Sequence, residues 1–356
     1  MRGRASPAVA PPHLPPTATV SAIMRQVLYA LIPGSAAMIV LFGWGVAFNL
    51  LIAVAVALPC EALLLRLRGR PVAPFLQDGS ALVCAVLLAL ALPPLAPWWL
   101  PAIAVVLALA LGKHIYGGLG FNPFNPAMVG YAAVLVSFPA QMTVWLPPSA
   151  SGPGASLGLM ESLHYVLQGQ LPTGLELDAI TQATPLDRIK TGLSAGLTLE
   201  DIRDPAGTGL LAGSGWHWIN LLFLAGGAWL LQRRVIGWQI PAGVLLGLAA
   251  PALVFWIISP DQFASPLLHL LSGGAILAAF FIATDPVSAA TTPRGRLYYG
   301  LGIGLLAYVI RTWGGYPDGI AFAVLLMNMA APLIDRYTRP RIHGRTAPGR
   351  STRSRR

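Results

Sequence analysis

Apolar runs of about twenty residues recur along this chain of 356 residues and restrict it more than any other feature. A helical run of that length matches the ~30 Å hydrocarbon core of a bilayer. Within lipid, backbone N–H and C=O groups must bond inside a helix or a closed barrel. Ten runs are read from the sequence, at about 24–42, 44–65, 80–94, 97–112, 126–146, 216–232, 238–258, 265–284, 297–311 and 318–335. Ser80 to Pro94 is short for a bilayer and ends in Pro-Pro. Charged residues make up only 10% of the chain, against roughly 25% in soluble domains. The expected fold class is therefore an all-α polytopic membrane protein of about ten transmembrane helices. Cys60 and Cys84 lie inside apolar runs, outside any Cys-x-x-Cys or Cys/His cluster, and read as small buried hydrophobes.

The formal net charge of +10 does not mark a nucleic-acid binder, because the basic residues sit in short loops and in the C-terminal tail. Their distribution sets an orientation instead. With the N-terminus inside, Arg2, Arg4, Arg25, Arg66, Arg68, Arg70, Lys113, Arg233, Arg234, Arg294, Arg296 and the eight arginines from Arg336 to Arg356 are inside, 19 of 23 Lys and Arg. Arg188, Lys190, Arg203 and Arg311 fall outside. The expected division is a disordered lead at 1–23, five helices at 24–146, a periplasmic segment at 147–215, five more helices at 216–337 and a basic cytoplasmic tail at 338–356. The lead is Pro- and Ala-rich without the order of a cleavable signal. The periplasmic segment holds seven of the 13 acidic residues, a Ser/Gly-rich stretch at 149–159, and two candidate surface helices, Leu159–Leu167 and Pro185–Leu193.

The two sets of five helices resemble each other. Gly79 to Pro94 and Gly273 to Pro286 both run from small residues through a short apolar stretch to proline. Ile115-Tyr-Gly-Gly118 and Thr312-Trp-Gly-Gly315 each precede a polar, Pro-containing turn. An odd number of helices per repeat gives the halves opposite orientation, the inverted-repeat plan of many transporters. Several polar residues in or beside the apolar runs require a reason. Glu61 is expected to pair with Arg66 or Arg68 or to serve an ion. Asp285 and Asp318 are expected to cap exposed amides. Asn122 and Asn125 lie in a Gly-rich turn, and Asn328 lies within the last run.

The long polar interruption carries Asp178-Ala-Ile-Thr-Gln-Ala-Thr184, followed by Pro185-Leu186-Asp187. As residues alone, these read as a turn or helix start with Asp and Thr as caps. The pattern D-x-x-[ST]-x-A-T also resembles that of proteins bearing flavin mononucleotide on the last threonine. Further blocks converge with it: GGLGFNPFNPAMVG at 117–130, FIATDPVSAATTPRGR at 281–296, GGYPDGIAFAVLL at 314–326, PLIDRYTRPRIHG at 332–344, Arg70-Pro-Val-Ala-Pro74 and Pro93–Trp99. Over about 24–344 the chain resembles the D subunits of the Rnf electron-transport complex, relatives of the B subunit of the sodium-translocating NADH:quinone reductase. Gln182 departs from the small residue expected there.

That resemblance implies a subunit of a bacterial inner-membrane complex, with both termini cytoplasmic. The complex would relay electrons between ferredoxin, NAD and other redox centres and couple this to Na⁺ or H⁺ translocation. It implies covalent FMN through Thr184, with Asp178, Thr181 and Ala183 as supporting motif residues, and more weakly a non-covalent riboflavin. It implies the other Rnf subunits (A, B, C, E and G) as partners, a separate flavin transferase, and a chain that is not catalytically complete alone. A secondary transporter or channel for a small solute is the alternative that the repeat by itself would suit, and a structural scaffold is a third.

Overall fold

The computed structural model describes residues 19–148, 157–172, 174–202, 215–316 and 318–339. Most of the N-terminal lead, most of the Ser/Gly-rich stretch and nearly all of the basic tail lie outside these residues, as do Arg203 and Asp204. Among the described residues the regular structure is all helical, with no strand. The first half contains α1 (Val20–Phe42), α2 (Trp44–Leu67), α3 (Ser80–Ala91), α4 (Trp99–Leu107) and α5 (Pro126–Ser137); α4 continues as a π-helix over Ala108–His114. The connecting segment forms α6 (Leu159–Gln168) and α7 (Pro185–Ser194). The second half contains α8 (Trp216–Gln232), α9 (Gln239–Ile258), α10 (Pro266–Leu271), α11 (Ala275–Leu277), α12 (Pro293–Trp313) and α13 (Ile320–Thr338); α11 runs into a π-helix over Ala278–Ile282.

Four of these helices, α1, α2, α9 and α13, are long and apolar enough to cross a membrane. Others among the expected spans are short or broken. α3 has 12 residues, about 18 Å of helix, against the ~30 Å that a bilayer core requires. The run at 126–146 stops being continuous helix at Phe138, whose backbone leaves the helical region before Pro139. The run expected at 265–284 is not one helix. Ser265 caps α10 through the Leu268 amide, Pro266 starts it, and Gly273 at φ +62° breaks the chain before α11. The freed backbone groups are taken up inside the protein. Asn220 Nδ2 donates to the carbonyls of Leu271 at 2.8 Å and Gly273 at 3.3 Å, and the Gly274 amide donates to Asp318 Oδ2 at 3.0 Å. Non-helical backbone at membrane depth is tolerated where protein satisfies it in this way.

Close helix pairs meet through glycine. On α9 and α12, Gly243, Gly247, Gly300 and Gly304 each face the other helix's backbone so closely that a Cβ would collide with it. α1 and α8 meet likewise, with Gly226 against the Ala30 carbonyl and Gly34 under the Phe223 ring. Small residues let helix backbones approach in lipid, where dispersion rather than water expulsion drives association. The α1–α8 contact joins the two halves. So does the Asn125 amide, which donates to Asn328 Oδ1 at 2.9 Å.

Candidate functional site

The Asp178–Thr184 stretch is fixed from both sides. Leu177–Ile180 forms one helical turn, with Ile180 buried and Asp178 exposed. Thr181 Oγ1 donates to the Leu177 carbonyl at 3.0 Å and closes that turn. The Gln182 amide donates to the Trp145 carbonyl at 2.8 Å, and the Trp145 ring packs on Phe42 and Trp216. Gln182 and Ala183 are exposed, so the departure at 182 meets no steric limit in the fold.

Thr184 is extended, at φ −61° and ψ 158°, as a residue before proline should be. It is the N-cap of α7, and its Oγ1 accepts from the Asp187 amide at 3.3 Å. The capping reading of the sequence therefore holds here. The same placement suits an anion, because a helix N-terminus offers free amides and the positive end of its dipole. Asp178, which the resemblance implies as a supporting motif residue, is exposed on the preceding turn, and the partner of the Thr184 hydroxyl in the fold is the Asp187 amide. Burial pushes the Asp187 carboxyl above its ordinary value, with Lys190 opposing.

α7 also walls a cavity of about 460 Å³, whose lining includes Leu186, Lys190, Phe263, His269, Arg311 and Trp313. Lys190 Nζ reaches over it to donate to the carbonyls of Ile310 and Arg311 at 3.3 Å and Tyr316 at 3.0 Å. Arg311, 4% exposed, pairs with Asp318 Oδ1 at 3.2 Å and donates to the His269 carbonyl at 2.5 Å and the Ser272 carbonyl at 3.4 Å. The His269 ring is buried, with Nδ1 lacking a hydrogen-bond partner. The sequence places Arg311 and Lys190 together among the outside charges and gives His269 no role. An Arg inside an apolar run was the available signal. Asp318 fulfils its expected capping role toward Ile320 and carries the Arg311 pair as well.

A second polar cluster lies in the first half. Glu61, 1% exposed, accepts from Lys113 Nζ at 2.6 Å and from His114 Nε2 at 2.9 Å. Arg68 Nη1 donates to His114 Nδ1 at 3.3 Å, which fixes the proton of a neutral His114 on Nε2. Lys113 also donates to Ser80 Oγ at 2.9 Å, and the Ser80 amide and hydroxyl donate to Asp78. The expected pairing of Glu61 with Arg66 or Arg68 is corrected accordingly. Side chains meet along a helix at three or four residues, and Arg66 and Arg68 stand five and seven away. Lys113, expected in an inside loop, is a buried member of this cluster. Asp285 accepts from the Val287 amide and the Ser288 hydroxyl, the local cap expected of it. Asn125 caps α5, and Asn328 Nδ2 donates to the Ser288 carbonyl and the Tyr299 hydroxyl.

Comparison with known proteins covers almost the whole chain. A family model described as the NQR2, RnfD, RnfE family matches residues 8–344. A protein from Alcanivorax borkumensis, named as the D subunit of an ion-translocating oxidoreductase complex, is 53% identical over 343 residues, 96% of this chain and 97% of its own length. Proteins of the same name from Escherichia fergusonii and Escherichia coli O7:K1 are 50% and 51% identical, each over 91% of this chain and 94% of their own length.

Proposed function

This chain belongs to the NQR2, RnfD, RnfE family, and we propose that it is the D-type membrane subunit of an ion-translocating oxidoreductase complex that carries FMN on Thr184. The bond is a phosphodiester between the flavin phosphate and Thr184 Oγ1, made by a separate flavin transferase. A flavin supplies electron transfer when bound. The protein's own residues hold and place it. The observation that carries this reading is the position of Thr184. It presents an esterifiable hydroxyl on extended backbone at the N-terminus of α7, with exposed Ala183 beside it. The α7 amides suit a phosphate there.

In this reading the subunit sits in the bacterial inner membrane, with both termini cytoplasmic and Thr184 periplasmic. It relays electrons among ferredoxin, NAD and the redox centres of the other Rnf subunits, and the complex couples this to Na⁺ or H⁺ movement. A non-covalent riboflavin accompanies the covalent flavin. The five-helix halves form an inverted repeat. Its support is that each half ties a cation, from the helix preceding a Gly-Gly pair, to the start of a short helix. Lys113 does this at Ser80, and Arg311 through Asp318 at Gly274.

The test is to co-express the chain with a flavin transferase and view a denaturing gel under ultraviolet light. Wild type gives a flavin-fluorescent band, Thr184→Ala abolishes it, and Thr181→Ala retains part of it, with peptide mass spectrometry locating the adduct. A fluorescent Thr184→Ala band, or a dark wild-type band, overturns the assignment. A colourless purified protein would favour a solute transporter.

A further inference from the structure

We infer that the cavity between α7 and the C-terminal end of α12 is the berth of the isoalloxazine ring tethered at Thr184, and that Lys190 sets the reduction potential of that ring. This rests on the covalent attachment proposed above. Position is the first argument. The cavity wall is the very helix that Thr184 caps, with Leu186 and Lys190 on it. Lys190 stands six residues beyond Thr184, about 9 Å along the helix axis. A five-carbon ribityl chain with its phosphate is an arm of comparable length.

Size and chemistry are the second and third arguments. A cavity of about 460 Å³ falls in the ~300–1,000 Å³ range of small-molecule sites. Phe263 and Trp313 give it aromatic walls, suited to the face of a flat ring. Its polar groups suit the ring's edge, which carries carbonyl acceptors and one N–H. His269 is 7% exposed and lines the cavity, and its Nδ1 is a buried nitrogen without a partner. Buried polar atoms are rarely left so, and each such atom calls for a partner.

The charges then single out Lys190. Arg311 is compensated by Asp318 at 3.2 Å. Lys190 spends its hydrogen bonds on three main-chain carbonyls, and among the described residues no carboxylate lies within salt-bridge distance of it. Lys190 lines the cavity, and the acid that acts on its charge is Asp187, one turn earlier on α7 and beyond salt-bridge distance. A nearby cation favours the more negative, electron-rich form of a group, so Lys190 raises the potential of a ring held there.

The test uses the full chain, co-expressed with flavin transferase and purified with its covalent flavin. Lys190→Met should keep the fluorescent band on a denaturing gel and lower the flavin midpoint potential in a spectroelectrochemical titration, and Lys190→Arg should restore it. Trp313→Leu should raise flavin fluorescence in the native protein by removing a stacked quencher, with no change after denaturation. Leu193→Trp, which fills the cavity, should keep the covalent band and shift the native absorbance. A dark wild-type band would refute the attachment itself. A bright band in all variants, with potential, native fluorescence and absorbance unchanged, would refute the berth alone. The Trp313 and Leu193 variants carry the test if Lys190→Met fails to fold, because they leave the Lys190 bonds in place.

Discussion

The Glu61–Lys113 pair offers the sharpest test of how this fold holds charge. Glu61 is 1% exposed and Lys113 3%, and they meet at 2.6 Å. Removing one partner of a buried pair costs about 3–5 kcal/mol, because the other is left charged and dry. The two single variants should not cost the same. Glu61→Gln leaves the Lys113 ammonium with only Ser80 Oγ and the amide oxygen that replaces a carboxylate, so it belongs at the upper end of that range. Lys113→Met leaves Glu61 with the His114 Nε2 hydrogen bond, and Arg68 lies just beyond. It belongs at the lower end. At about 1.4 kcal/mol per factor of ten, the two variants lower the folding equilibrium constant by roughly 4,000-fold and 100-fold. The double variant Glu61→Gln/Lys113→Met removes both charges and should recover at least ~2 kcal/mol relative to the sum of the singles. The assay is reversible unfolding of the detergent-solubilised protein across the four-member cycle. Additive single effects would refute the pairing, and a Lys113→Met cost above that of Glu61→Gln would refute the role given to His114.

Four further outcomes are expected. Gly304→Ala and Gly300→Ala should each lower stability by about 1–3 kcal/mol through overpacking of α12 on α9; unchanged thermal unfolding of both would contradict the close contact. Thr184→Ala should cost about 1 kcal/mol of stability before flavin attachment, from loss of the α7 cap, whereas Thr184→Ser should retain most of it; equal unfolding midpoints for all three proteins would argue against the cap. Asp187 has its carboxyl raised by burial, so the folded chain holds that proton to higher pH than the unfolded chain, and the group loses stability as pH rises through its folded value. Asp187→Asn should flatten that part of the stability–pH curve, and a curve parallel to wild type would show that the carboxyl is not perturbed. Gln170→Cys, at an exposed position, in a chain lacking Cys60 and Cys84 should react with an impermeant thiol reagent in intact cells; labelling only after the inner membrane is breached would reverse the proposed orientation.

What the sequence made legible was local. Pro185 after Thr184 marked a helix start, and α7 runs Pro185–Ser194 against an expected Pro185–Leu193. α6 runs Leu159–Gln168 against an expected Leu159–Leu167. What it hid was the break at Gly273 and the partner of Glu61. An apolar run looks the same whether its carbonyls bond along the helix or to a side chain from elsewhere, and Asn220 and Asp318 stand 53 and 44 residues from the groups they satisfy. Glu61 finds Lys113 at a separation of 52 residues, across a helix contact that no spacing rule encodes. The cavity was hidden for the same reason, since its walls come from α7, the Phe263 loop, α10 and α12.

The two buried clusters follow one physical rule. A short helix that starts inside protein exposes free amides, and the positive end of its dipole, to a poorly hydrated interior. α3 meets this with Asp78, which accepts from the Ser80 amide and hydroxyl. α11 meets it with Asp318, which accepts from the Gly274 amide. Each arrangement also receives a cation from the helix that leads into a Gly-Gly turn, Lys113 reaching Ser80 and Arg311 reaching Asp318. The details differ: Lys113 takes Glu61 as its acid, while Arg311 shares the capping acid itself. Descent from one ancestral half would leave this pattern, with the chemistry kept and the residues exchanged. If the halves are inverted, the clusters lie toward opposite faces of the membrane, and only the Arg311 cluster borders the helix that Thr184 caps. That asymmetry would put only the Arg311 cluster, with Lys190 bonded to the Arg311 carbonyl, beside a flavin attached as proposed, and leave the Glu61 cluster away from it.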